Sequence, residues 1–322
     1  MLSMAILGTA SHLEGETRTT RELIEESIPS ADPDELAGKI GIHERRFASS
    51  PPSVMAARAL RAACEDAGLE PSDLRRIIYV SSVGGDQQVP ATGNNVLREL
   101  GLASTCDAFD LNNACMGFLT AIDLAARSVV TGLGPVGVVV VERPSHFITP
   151  DYYRSYLIFG DAAAAAIIGP GGDGDGGLLG THLSNDPSYP GSVILPMAGF
   201  RKDHFVFQAS NKAMTGIALA ALKRAADDVL EQAGMTIADV EWVLPHQPNG
   251  RMLDRALEAL GVAREQTVRV VDTIGSVGAA SIPFSLARLM RERDVKPGDR
   301  ILMVGVGTGV AYGAMLYQVP SC

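Results

Sequence analysis

Asp110-Leu-Asn-Asn-Ala-Cys115-Met-Gly-Phe-Leu-Thr120, continuing as Ala-Ile-Asp-Leu-Ala-Ala-Arg, reads as strand, turn and helix. The strand is short and apolar (108–111), the turn runs through Asn112 and Asn113, and the helix shows small and apolar residues at i, i+3 and i+4. This pattern sets Cys115 at or beside a helix start. Unpaired N–H groups and the positive end of the helix dipole favour a thiolate over a thiol there, which is the condition for a nucleophilic cysteine. Gly117 lets another backbone or a substrate come close.

Outward from this stretch, apolar β-rich runs at 4–7, 77–82, 136–141 and 165–168 alternate with helical periodicity at 20–27, 53–67, 93–100 and 116–130, an α/β pattern. The unbroken apolar run Val136-Gly-Val-Val-Val-Val141 predicts a strand covered on both faces and hence a layered fold. The second half repeats the first. Ala67-Gly68, then Asp73-Leu74 and Ile77-Ile78, is matched at the same intervals by Ala233-Gly234, Asp239-Val240 and Val243-Leu244. Each set reads as a helix with a glycine cap, a short loop and a buried strand. Asn113-Ala-Cys-Met-Gly117 with its helix corresponds to Gly275-Ser-Val-Gly-Ala-Ala280 with a helix at 282–293, and 136–142 to 301–306. The run Gly169-Pro-Gly-Gly-Asp-Gly-Asp-Gly-Gly177 reads as a turn-rich hinge and lacks the context of a nucleotide loop. Two α/β halves, 1–170 and 171–322, are expected to face each other across a pseudo-twofold with a site between them at the strand ends.

Composition narrows the function. Of 322 residues, 46% are hydrophobic and 20% charged, which suits a globular chain with a substantial core. A net charge of -10 argues against nucleic acid or an anionic membrane as partner. No apolar stretch is long enough to span a membrane and Met1 to Ala10 lacks a basic leader region, so a cytoplasmic protein is expected. Cys64, Cys106, Cys115 and Cys322 show neither a CxxC pair nor regular spacing with histidine, which argues against a disulfide framework and a metal site.

Three further features fall at strand ends. Trp242-Val-Leu-Pro-His246-Gln-Pro-Asn249 runs an apolar strand into a histidine and an asparagine. An imidazole there suits hydrogen bonding to a thioester carbonyl or taking a proton from an incoming hydroxyl or amine. In Val271-Asp272-Thr-Ile-Gly275-Ser276 a strand end and glycine turn lead into a helix, so Ser276 takes the place that Cys115 holds in the first half. Finally, Gly305-Val-Gly307-Thr308-Gly309-Val-Ala-Tyr-Gly313 allows a tight turn whose N–H groups point into a cavity, as an oxyanion hole requires.

Taken together, the chain resembles the thiolase superfamily, and within it the ketoacyl synthase III branch, along nearly its whole length. The resemblance is carried by Gly41-Ile-His-Glu-Arg-Arg46, Asn113-Ala-Cys115-Met-Gly117, Phe159-Gly-Asp161-Ala-Ala, His246-Gln-Pro-Asn249, Gly275-Ser-Val-Gly-Ala-Ala-Ser281-Ile-Pro283 and Gly307-Thr-Gly-Val-Ala-Tyr-Gly313. It implies a duplicated five-layer αβαβα fold, a homodimer, and acylation of Cys115 by a thioester on an acyl carrier protein or coenzyme A. It further implies His246 as the partner imidazole, backbone donors at Cys115 and Thr308 as the oxyanion hole, and Arg251 as a contact for the acidic carrier protein. No cofactor is implied beyond the phosphopantetheine arm of the donor.

The departures redirect the expected chemistry. Condensing members pair the histidine with an asparagine to hold an enolate, and that position is Ser276, whose hydroxyl donates only one hydrogen bond. Acylation of Cys115 needs neither. The sequence therefore looks more like the acyltransferase branch of secondary metabolism, with a small-molecule hydroxyl or amine as acceptor and Ser276 orienting His246 or that acceptor. A condensing ketosynthase is the alternative. The family's adenine-stacking Trp and its Arg partner fall on Glu35 and Lys39, which favours a carrier protein over coenzyme A. Asn249 is expected at the acceptor or as a loop cap. Val83, Gln87, Gln88 and 152–156 are expected to line the acyl pocket.

Overall fold

The computed structural model describes residues 1–102, 106–172, 176–189, 193–196, 204–208 and 210–321; Cys322 and part of the expected hinge lie outside them. The chain opens with β1 (Met4–His12), and a hairpin of β2 (Glu16–Thr19) and β3 (Glu44–Phe47) brackets α1 (Thr20–Ser27) and α2 (Pro33–Ile40). Then follow α3 (Pro52–Asp66), β4 (Arg76–Val80), α4 (Thr92–Leu100), β5 (Asp107–Leu111), α5 (Gly117–Val130), β6 (Val136–Glu142), α6 (Tyr153–Tyr156) and β7 (Ala162–Pro170). The second half holds β8 (Gly177–Asn185), β9 (Val193–Ile194), β10 (Val206–Phe207), α7 (Asn211–Gln232) and β11 (Trp242–Pro245). It ends with α8 (Gly250–Leu260), α9 (Val271–Ile274), α10 (Ser281–Glu292), β12 (Arg300–Val306) and β13 (Ala311–Gln318).

The duplication is explicit in the sheets. Among the described residues the first has the order β1-β7-β6-β4-β5 and the second β8-β13-β12-β11, the same sequence of parallel and antiparallel pairs without a fifth strand. Local chemistry repeats with it. Gly68 and Gly234 end α3 and α7 at φ +66° and +67°, a left-handed conformation that costs glycine little. Asp73 then accepts the Glu70 N–H at 2.9 Å, and Asp239 the Thr236 N–H at 2.8 Å, turning the chain into β4 and β11.

Five layers result. α3 covers the outer face of the first sheet and α7 that of the second, while α5 and α10 lie between the sheets. The central layer holds the largest apolar cluster, with Phe118, Ile122, Phe284 and Leu286 between Val138, Val140, Ala164 and Met303. In β7 the run Ala162-Ala-Ala-Ala-Ala166 is buried throughout, and its small side chains admit helices on both faces. Among the described residues no helix is long and apolar enough to cross a membrane.

One element departs from the sequence reading. The expected strand end at Val271 is the short helix α9, because the Val270 and Val271 N–H groups donate to Gln247 Oε1 at 3.0 and 3.1 Å. A buried amide side chain takes the hydrogen bonds that a neighbouring strand would have taken.

Phe284 is 1% exposed at the centre of the middle layer. Phe284→Ala should cost about 3–5 kcal/mol of unfolding free energy, measured by denaturant unfolding, and should lower the midpoint without changing the slope.

Candidate active site

The turn before α5 is built to project Cys115. Ala114 sits at φ +45°, a left-handed conformation rare for a residue with a Cβ, which costs about 1–2 kcal/mol. The asparagines offset it. Asn112 Oδ1 accepts the Ala114 N–H at 3.0 Å, and Asn113 Nδ2 donates to Thr120 Oγ1 at 2.9 Å, tying the turn to the first turns of the helix. α5 itself begins at Gly117, so Cys115 stands just ahead of it. A side chain at Gly117 would meet Val80 Cγ1 at 2.5 Å, so this glycine lets α5 pack against the end of β4.

The second half brings two of the other candidates, His246 and Thr308, to this turn. A Cβ on Gly307 would lie 3.1 Å from the Cys115 nitrogen and 3.3 Å from its Cβ, so the C-terminal glycine turn rests directly on the cysteine. Two residues back, a Cβ on Gly305 would lie 2.9 Å from Met116 Sδ and 3.7 Å from His246 Cβ. Positions 305 and 307 share one face at the end of β12, and Cys115 and His246 both pack against it. The backbone N–H groups of Cys115 and Thr308 both point at the cysteine sulfur. Ser276 is buried, its N–H donating to Ile158 O at 2.7 Å and its carbonyl accepting the Gly160 N–H at 3.1 Å.

The electrostatics depart from the sequence expectation. Burial, with a smaller contribution from the Glu142 carboxylate, pushes the Cys115 thiol up to about 12, while the two amides pull it down only in part. The site presents a thiol, because removing a sulfur anion from water outweighs two backbone dipoles. Burial lowers His246 to about 4, and its Nδ1 is buried without a hydrogen-bond partner, so the imidazole is neutral at pH 7 and able to accept a proton.

Two residues that sequence reasoning passed over hold this arrangement. Glu142, at the end of β6, is 1% exposed. Its Oε1 accepts the N–H groups of Ser82 and Ala279 at 3.0 Å each and its Oε2 the Ser82 hydroxyl at 2.7 Å, and burial raises its pKa to about 7. It thus joins the β4 end to the chain beyond Ser276. Gln247 is fully satisfied: its amide donates to Val268 O at 2.7 Å and Ser285 Oγ at 3.1 Å, and its backbone N–H donates to Ser281 Oγ at 2.9 Å, which fixes the strand end carrying His246. The signal for Gln247 lay in the His-Gln-Pro-Asn run; Glu142 looked like the close of an apolar strand.

The remaining sequence candidates spread further. Asn249 is the N-cap of α8, its Oδ1 accepting the Met252 N–H at 2.9 Å, so the cap role takes its carbonyl. No side-chain hydrogen bond links Ser276 to His246 among the described residues, so the expected orienting contact is not made. Gln87 and Gln88 are exposed, carried outward by the loop after β4. Gln87 and Val83 line a cavity of about 830 Å³ with Asp86, Arg98, Arg143 and His146, and Cys115, His246 and Ser276 are not part of that lining. Arg251 is exposed at the start of α8, where Gly41, closing α2, packs against Gly250.

A duplicated α/β sandwich with a cysteine, an imidazole and two converging backbone amides at its seam has the architecture of a thiolase-fold transferase. The comparisons agree. Residues 109–187 match the 3-oxoacyl-[acyl-carrier-protein] synthase III family model and residues 230–319 the model of its C-terminal part. A β-ketoacyl-[acyl-carrier-protein] synthase III of Neisseria meningitidis is 30% identical over 97% of this chain and 98% of its own length. The 3-oxoacyl-(acyl carrier protein) synthase III of Pseudomonas aeruginosa superposes with a TM-score of 0.90 at 27% identity, covering 99% of both chains. A priming β-ketosynthase of a polyketide biosynthetic pathway superposes at 0.89 with 28% identity, covering 99% of this chain and 97% of its own. The chain belongs to the 3-oxoacyl-[acyl-carrier-protein] synthase III family.

A thiol at about 12 should alkylate ever faster as pH rises from 7 to 10, without a plateau. Glu142→Gln removes a charge that disfavours the thiolate, so iodoacetamide labelling of Cys115 followed by mass spectrometry should be several-fold faster at pH 8, on the order of half a pKa unit or more. Glu142 takes up its proton below about 7, so the difference between the two proteins should close as pH falls towards 5.

Proposed function

We propose that the chain is an acyltransferase that moves an acyl group from an acyl carrier protein thioester, by way of acyl-Cys115, to a hydroxyl or amine of a small molecule in polyketide or other secondary metabolism. What supports this reading is the meeting of the Cys115 turn, the Thr308 turn and the His246 strand end, together with Ser276 at the position where the resemblance expects an asparagine, with no side-chain hydrogen bond to His246 among the described residues. A single hydroxyl is a poor holder for an enolate.

The first half-reaction uses groups that pack against the same end of β12. Cys115 Sγ attacks the thioester carbonyl carbon as its proton passes to neutral His246, and the tetrahedral oxyanion forms against the N–H groups of Cys115 and Thr308. Collapse expels the phosphopantetheine thiolate, which takes the proton from His246. In the second half-reaction the acceptor loses a proton to His246 as it attacks acyl-Cys115, the same two amides hold the second oxyanion, and its collapse breaks the C–Sγ bond, releasing the ester or amide while the Cys115 thiolate takes the proton back from His246.

Donor choice follows the surface. Glu35 and Lys39 form an ion pair on α2 at the positions where the resemblance expects an adenine-stacking aromatic and its arginine. Exposed Arg251 and Arg255, on the adjoining α8, suit an acidic carrier protein. A homodimer would cover the open edge of the first sheet at β5. Carbon–carbon condensation is the second reading, favoured by the names of the relatives above.

Acyl carrier protein thioesters should add one acyl mass to Cys115 within a turnover, and Cys115→Ala should take none. His246→Ala should slow delivery to the acceptor by roughly 10²–10⁴-fold. Carbon dioxide release from malonyl carrier protein should be near background and rise in Ser276→Asn; release at the rate of acyl transfer in the unmodified protein would give the reaction to the condensing alternative.

A further inference from the structure

Thr308 faces two ways. Its backbone N–H points at the Cys115 sulfur. Its side chain reaches in the other direction, Oγ1 donating to Val193 O at 2.6 Å and accepting the Val193 N–H at 3.3 Å. A glycine at this position would have no atom to make either bond.

Val193 begins β9, which pairs with β10 (Val193 opposite Phe207, Ile194 opposite Val206) and belongs to neither main sheet among the described residues. This two-stranded strap lies against the Thr308 turn. On the other strand, facing Val193, Phe207 donates its N–H to Tyr152 Oη at 3.1 Å, and its carbonyl accepts from Tyr152 at 3.2 Å and from Arg154 at 3.2 Å. The Arg154 guanidinium also lies over the Phe207 ring at 4.8 Å. The Phe205 ring stacks at 4.6 Å on Phe159, whose backbone bridges Ser276. The strap therefore runs from the oxyanion turn to the Ser276 turn with Val193, Ile194, Phe205, Val206 and Phe207 as its apolar residues.

We propose that Thr308 is a positioning and specificity-determining residue: its hydroxyl fastens the β9–β10 strap to the turn that carries the oxyanion amide. The fit of an acyl chain against the strap then bears directly on the alignment of that amide with the thioester carbonyl. This specificity role rests on the acyl-Cys115 reading; the fastening does not. A long or aromatic acyl group that presses on the strap loads the Thr308 turn, whereas an acetyl group reaches only the amide.

The test compares Thr308→Val, which keeps the branched shape and loses the hydroxyl, with Thr308→Ser, which keeps the hydroxyl. Tyr152→Phe loosens the facing strand and leaves the Thr308 hydroxyl in place, and serves as a control for general softening. Amide hydrogen exchange by mass spectrometry should quicken at 193–194 by on the order of tenfold in Thr308→Val, stay near normal in Thr308→Ser, and quicken more at 206–207 than at 193–194 in Tyr152→Phe. Single-turnover acylation of Cys115 by acetyl, octanoyl and benzoyl carrier protein should show the donor ranking changed in Thr308→Val and restored in Thr308→Ser. Unchanged exchange at 193–194 in Thr308→Val overturns the fastening. Quickened exchange with all donors slowed by one factor overturns the specificity role. If the unmodified protein takes no acyl group, the acyl-enzyme reading and the specificity role fall together, and the exchange result alone decides the fastening.

Discussion

The structure turns on enclosing a half-buried cysteine between two sheets. Desolvation pushes the Cys115 thiol up, so the thiol is the form favoured at pH 7. A preformed thiolate is thus a minor species, and proton removal belongs to the attack itself. Neutral His246, with a buried and unpartnered Nδ1, has the protonation state that such a step requires. The two amides at the sulfur are fixed by the Ala114 turn and by the glycine turn after β12, so they need no rearrangement when charge moves from sulfur to oxygen.

That constraint explains where the molecule places its costly groups. Glu142 is a buried carboxyl that disfavours the thiolate, yet it accepts three hydrogen bonds from the two chain segments beside the site. A smaller apolar residue there would ease ionisation of the cysteine and leave the Ser82 and Ala279 N–H groups without an acceptor, each at about 1–3 kcal/mol. Arg45 is a similar case. It is 0% exposed, donates to Thr20 Oγ1 at 2.8 Å and Leu157 O at 2.5 Å, and burial holds it down to about 10. Its stem packs under Gly160 and Gly275, where any side chain would collide with it.

Much of this was legible in the chain because the duplication repeats local signals: a capping glycine, an aspartate turn and an apolar strand at equal spacing. The Cys115 turn, the His246 strand end and the Thr308 turn could be read the same way, since each joins a short apolar run to a distinctive polar or glycine cluster. What could not be read depends on partners far along the chain. Glu142 owes its role to Ser82 and Ala279, the α9 helix to an amide at Gln247, and the Thr308 hydroxyl to Val193. The ionisation of Cys115 was misjudged for the same reason: a helix start is a local feature, whereas desolvation is set by the second half closing over the first. Gln87 and Gln88 went astray through the direction of a loop, which neighbouring residue types do not encode.

The halves are equivalent in topology and unequal in use, and each supplies what the other lacks. The cysteine turn of the first half is finished by Gly307 and Thr308 of the second. The Ser276 turn of the second is set by Ile158, Gly160 and Arg45 of the first, and Glu142 secures the chain just beyond it. With no fifth strand among its described residues, the second half lets the chain before Ser276 follow Gln247 into α9, and Gly275 at φ +73° makes the turn into Ser276. Neither half alone could hold an oxyanion or bury the thiol. Chemistry therefore becomes available only when the central layer of α5 and α10 has packed, and the apolar core between the sheets is as much a condition of the reaction as the residues that touch the acyl group.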